Sequence, residues 1–155
     1  MKKSVVCLVL ILLMSGCNGG SHKEISYDSF LLELEDLGYE LVNVGEEQDV
    51  AAYFVAPFSR YHFLTSEFST IGILEGENEE ATNELFLDYV DDRIEAFDET
   101  NSSSIVENDS TMTYTLETDE YYIFVGMKDH TILAVSSMKS ESGILKEFVE
   151  SYEWK

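Results

Sequence analysis

From Ser26 onward the apolar residues recur every three or four positions: Tyr27, Phe30, Leu31, Leu34 and Leu37 share one stripe, and Asp28, Glu33, Glu35 and Asp36 fill the other. That period predicts an amphipathic helix that stops at Gly38. Tyr39, Leu41 and Val44 make a short extended piece before the acidic loop Glu46-Glu47-Gln48-Asp49. The stretch Val50 to Phe58 is almost wholly apolar and contains the only proline, Pro57. Tyr61 and Phe63, then Phe68, Ile71 and Ile73, predict two strands joined by a turn near Ser66 and Glu67. At Glu77-Asn78-Glu79-Glu80 an Asn cap and acidic residues, which suit the positive end of a helix dipole, open a second helix. It runs through Ala81, Leu85, Phe86, Tyr89, Val90, Arg93, Ile94 and Phe97, with Glu84, Asp88, Asp91, Asp92 and Glu95 opposite. Thr100 to Asp109 reads as a polar, turn-rich connection. Three strands follow, Ser110 to Glu117, Tyr121 to Lys128 and Thr131 to Met138. The tight acidic turns between them, at Thr118-Asp119-Glu120 and Asp129-His130, imply an antiparallel meander. Ser140 or Ser142 then caps a last helix that turns Ile144, Leu145, Phe148, Val149 and Tyr152 inward.

The order α-β-β-α-β-β-β-α predicts an α+β domain over residues 25–155: an antiparallel sheet of about five strands with its helices packed on one face. Three stretches bear on kinship: Tyr53-Phe54-Val55-Ala56-Pro57-Phe58, the strand Phe68 to Glu75 with the helix start Glu77 to Ala81, and Tyr121 to Gly126 paired with Thr131 to Val135. Together they resemble a family of small Gram-positive membrane lipoproteins of unknown function. The resemblance covers most of the chain beyond residue 24 and implies a fold and a location, but no catalytic residue.

The location has its own signal at the N-terminus. Lys2 and Lys3 precede the apolar run Val5 to Met14, followed by Ser15, Gly16 and Cys17. The run is too short for a spanning helix of about 20 residues and has the charge and small-residue flanks of a secretory signal. Leu13-Met14-Ser15-Gly16-Cys17 resembles the lipobox of bacterial lipoproteins, which implies cleavage after residue 16 and a diacylglyceryl group on the Cys17 sulfur. Two acyl chains, at about 0.8 kcal/mol per buried CH₂, hold a protein stably on a membrane where one chain does not. Residues 17–24 then form the lipidated cysteine and a short Gly- and Ser-containing tether. The expected location is the cell membrane, on its extracellular side.

Charge narrows the partners. Of the 155 residues 31 are acidic and nine basic, a formal net charge of −22; removing Lys2 and Lys3 with residues 1–16 makes it −24 over the remaining 139. Nucleic acid is an improbable partner, because phosphate recognition needs clustered Lys and Arg and these are scattered. Cys7 and Cys17 are the only cysteines, so a processed chain has no thiol for a disulfide, a metal site or a nucleophile.

Candidate chemistry is thin. His62 and His130 lack a metal-binding spacing, and no Gly-x-Ser-x-Gly elbow occurs. Asp88, Asp91, Asp92 and Glu95, with Glu75, Glu77, Glu79 and Glu80, read as solvated helix faces rather than a calcium loop. No metal, cofactor or catalytic residue is expected. The aromatics Phe54, Phe58, Tyr61 and Phe63, bracketing Pro57, are the candidate binding patch, with core packing as the competing role. The expected function is that of a lipid-anchored, non-catalytic domain that binds or modulates an envelope protein or peptide. Two alternatives stand beside it: an immunity or superinfection-exclusion lipoprotein, and an envelope hydrolase built on carboxylates.

Overall fold

The computed structural model describes residues 23–41, 56–97, 102–108 and 111–154; Cys17, the tether and Phe54 lie outside them. Helix α1 spans Tyr27–Asp36 and begins in a capping box, in which the Ser26 hydroxyl accepts from the Ser29 N–H while the Ser29 side chain serves the Ser26 N–H. It ends before Gly38, whose φ of +87° lies in the left-handed region that glycine tolerates. A two-residue strand β1 (Glu40–Leu41) leads to β2 (Phe58–Thr65), β3 (Ser69–Gly76) and helix α2 (Glu79–Ala96). Asn78 caps α2 by accepting from the Ala81 N–H. Then come β4 (Ser102–Asn108), β5 (Thr111–Glu117), β6 (Tyr121–Lys128) and β7 (Thr131–Met138), a 3₁₀ turn at Lys139–Glu141 and helix α3 (Gly143–Glu150). Ser142 stands at the N-cap of α3 but makes no side-chain cap; its hydroxyl donates to the Lys139 carbonyl at 3.0 Å.

The strands form one antiparallel sheet in the order β1-β2-β3-β7-β6-β5-β4. Six strands are long and β1 adds two residues at one edge, so the expected five are exceeded. The difference is mainly β4, which lies in the stretch expected to be a polar connection. An edge strand needs no apolar face to hold its place, because its backbone pairs along seven residues of β5, from Ser102↔Glu117 to Asn108↔Thr111. A Ser-rich sequence therefore suffices there.

The expectation that the helices share one face is also corrected. On one side of the sheet α1 and α3 bury Phe30, Leu34, Leu145 and Phe148 against Ile71, Ile73, Phe124, Leu133 and Val135. On the other side α2 buries Ala81, Leu85, Phe86 and Val90 against Leu74, Ile123, Val125, Ile132 and Ala134. The cause is in the central strands. β6 is buried at every position from Tyr122 to Met127 and β7 from Thr131 to Val135, so both faces need cover. A helix on each side supplies it.

Candidate functional site

Small residues at the middle of the sheet create the site. On the α2 face, Phe63 pairs with Gly72, Gly72 with Ala134 and Ala134 with Val125; one step along, Thr70 pairs with Ser136 and Ser136 with Ile123. Residues directly opposite in a ladder share a face, so Gly72 and Ala134 form a dip flanked by Phe63 and Val125. α2 bridges the dip instead of filling it, leaving a pocket of about 100 Å³ closed over by Tyr89 and Arg93. One water needs about 10 to 15 Å³ on this measure, so the space suits a small headgroup. Gly72 leaves room for the Tyr89 tip: a Cβ there would stand 3.3 Å from the Tyr89 hydroxyl oxygen, so the phenol would have to shift slightly.

The polar groups around the pocket are the Arg93 guanidinium and the hydroxyls of Tyr89, Thr70 and Ser136, and none of its ten lining residues is acidic. Burial pushes the Tyr89 phenol well above its usual range, with Tyr61 and then Asp92 and Asp88 adding to the effect and Arg93 opposing it, so Tyr89 keeps its proton. Of the six described lysines and arginines, Lys23, Arg60, Lys139 and Lys146 sit in ion pairs. Arg93 is half-buried and, among the described residues, has no carboxylate within ion-pairing distance.

The aromatic patch expected from the sequence borders this pocket in part. A bulge in β2 between Phe58 and Arg60 inserts one residue and reverses the side-chain parity, which brings Phe58 to the same face as Tyr61 and Phe63. Their rings form a ladder, Phe58 edge-on to Tyr61 at 6.2 Å and Tyr61 stacked with Phe63 at 6.4 Å. All three are half-buried, with Phe58 and Tyr61 packed on the α2-side core. They thus form a shelf that serves the core and ends at the pocket through Phe63. Phe54 and Cys17 lie outside the described residues.

The histidines lie elsewhere. His62, one residue from the shelf, faces the opposite side and hydrogen-bonds the Tyr27 hydroxyl through Nδ1. Arg60 lies over the same Tyr27 ring at 4.2 Å and binds Glu75 through Nε and Nη2, at 2.7 and 2.9 Å, and Asp28 through Nη1 at 2.9 Å. These contacts clamp α1 to β2. His130 is exposed in the β6–β7 turn. Glu75 belongs to the clamp, and Asp88, raised by burial and by its neighbours Asp92 and Asp91, is half-buried on α2 and is not among the pocket's lining residues. Among the described residues no three His, Cys, Asp or Glu side chains converge as metal ligands would. Among them too, no helix is long and apolar enough to cross a membrane.

Sequence reasoning overlooked Tyr89, Arg93 and Gly72 as a unit. One signal was present: Arg93 falls on the inward stripe of α2, four residues after Tyr89, where a cation has no packing role. What could not be seen was that Gly72 and Ala134 would lie side by side beneath it. The fold and pocket define an α+β sheet domain with helices on both faces. No protein-family model, curated protein or solved structure matches the chain.

Proposed function

We propose that the chain is a lipid-anchored lipoprotein at the outer face of the cytoplasmic membrane, whose domain binds or modulates an envelope component without catalysing a reaction. The observation that carries the binding reading is the pocket under α2, which the Phe58–Tyr61–Phe63 shelf joins through Phe63: concave, mostly apolar, with a few polar groups in its lining. Two features of that pocket speak against the hydrolase alternative. Among the described residues its lining has no carboxylate and its hydroxyls have no neighbouring imidazole to act as base, since His62 is turned to the other face. The anchor rests on Lys2, Lys3, the apolar run and Cys17, as set out from the sequence.

Two experiments test the two halves. Cys17→Ala is expected to abolish acylation and release the protein from membranes; a variant that remains acylated and membrane-bound would remove the anchor. In living cells a photo-crosslinking amino acid at Phe63 is expected to capture one discrete envelope partner, whereas the same group at the exposed Leu32 of α1 is not. Equal capture from both positions, or none from Phe63, would overturn the binding reading.

A further inference from the structure

The pocket's donors restrict what it can hold. The polar side chains around it are of donor type, a guanidinium, a phenol and two aliphatic hydroxyls, and none carries negative charge. Acids make up 31 of 155 residues, yet among the described residues none lines the pocket. A ligand that accepts hydrogen bonds and carries negative charge matches this set, and a half-buried guanidinium without a carboxylate partner among the described residues is the group that would recognise it. The number of charges is limited as well: Arg93 is the one cation among the described lining residues, and a single guanidinium fork matches one carboxylate. Space sets the rest, because about 100 Å³ admits a headgroup, and Phe63 in the lining continues into the Tyr61 ring stacked on it.

We infer that this pocket is a monocarboxylate site: Arg93 and Tyr89 hold the carboxylate, and the Phe63–Tyr61 shelf takes an apolar or aromatic group attached next to it. Arg93 also stands in the last turn of α2, where a cation suits the helix dipole. That role explains a charge at this position but not its place in the lining of a pocket without acids among the described residues. The same ligand chemistry arises in a free aromatic acid and in the C-terminus of a peptide ending in an apolar residue. The inference rests on the binding reading above and adds to it the class of ligand.

The test is isothermal titration of the full chain, purified in neutral detergent, with phenylacetate, phenylacetamide and phenethylamine. Phenylacetate is expected to bind, with the amide and the amine at least roughly tenfold weaker, as loss of a charge-assisted hydrogen bond implies. Arg93→Gln is expected to weaken phenylacetate by roughly tenfold or more while leaving the melting temperature within a few degrees. Gly72→Ala, which puts a methyl against the Tyr89 hydroxyl, is expected to weaken it without unfolding the protein. Acetyl-Gly-Phe with a free and with an amidated C-terminus separates the sources: preference for the free dipeptide over phenylacetate assigns a peptide end, and the reverse assigns a small acid. Equal binding of acid, amide and amine, or an unchanged affinity in Arg93→Gln, would overturn the inference. Should phenylacetate fail while Phe63 still captures a partner in cells, the ligand class falls and the binding reading stands. Absence of both would end both.

Discussion

Two glycines on strands of the same sheet, Gly72 and Gly126, show how differently its two faces are used. Gly126 faces α3, and a Cβ there would lie 2.5 Å from the Trp154 ring, which packs edge-on against Phe124 at 5.1 Å and stacks on Phe30 at 5.9 Å. Phe30 also meets Tyr152 edge-on at 4.7 Å, and the Trp154 indole N–H is satisfied by the Val149 carbonyl at 3.0 Å. Here glycine lets a large ring come down onto the backbone and close the face. Gly72 faces α2, where only the tip of Tyr89 comes within 3.3 Å of the place a Cβ would take and a pocket remains beside it. One face spends its small residue on packing density, and the other keeps a hollow that packing alone would have filled.

Substitutions on the closed face should have the largest effects. Phe30→Ala removes a fully buried ring from the α1–α3 aromatic cluster and is expected to destabilise by about 3 to 5 kcal/mol, read from the midpoint of urea unfolding. Gly126→Ala is expected to cost about 1 to 3 kcal/mol, because the Trp154 ring must move. If Gly126→Ala were neutral, the closed face would not be closed. Alkaline titration comes next. Burial raises the phenols of Tyr27, Tyr122 and Tyr152 on the α1–α3 side and of Tyr89 on the α2 side above their ordinary value of 10.0. A raised folded value means the stability from these groups is fully present below about pH 10 and is lost as the pH climbs through the folded values. Phenolate absorbance is therefore expected to rise in two phases, the second coinciding with unfolding.

Smaller effects sharpen the contrast. Gly72→Ala meets only Tyr89 closely and is expected to change stability by less than about 1 kcal/mol in either direction, against the larger loss at Gly126. Acid sensitivity should be the weakest effect. Hydrogen bonds from Arg60 and Lys146 hold the carboxyls of Glu75 and Glu117 below the usual value of 4.5. A lowered folded value gives stability that is present above about pH 4.5 and lost as the pH falls through the folded values. Both pairs are partly exposed, so solvent screens them and the effect is small. A modest fall in melting temperature between pH 5 and pH 3 is expected, shallower in Glu75→Gln.

The same contrast explains what the sequence made legible. α1, α2 and the strands Tyr121–Lys128 and Thr131–Met138 follow from apolar period, caps and turns, because each of those signals is local. The second covered face was written in the same strands, since Tyr122 to Met127 is a continuous apolar run instead of an alternation. β4 gave no signal because an edge strand is held by backbone pairing, and Ile105 and Val106 remain exposed on it. Of the aromatic patch, Phe58, Tyr61 and Phe63 do gather, aided by a bulge that no pattern announces. The pocket was illegible for a different reason: it depends on Gly72 and Ala134, 62 residues apart in sequence, becoming ladder neighbours.

The most direct measurement of the difference between the faces is amide chemical-shift mapping of the full chain during phenylacetate titration. Shifts are expected to gather at Phe63, Gly72, Tyr89, Arg93 and Ser136 and to leave Phe30, Gly126 and Trp154 unmoved. Shifts centred on the Trp154 side, or spread evenly over both faces, would contradict the account of one closed face and one binding face.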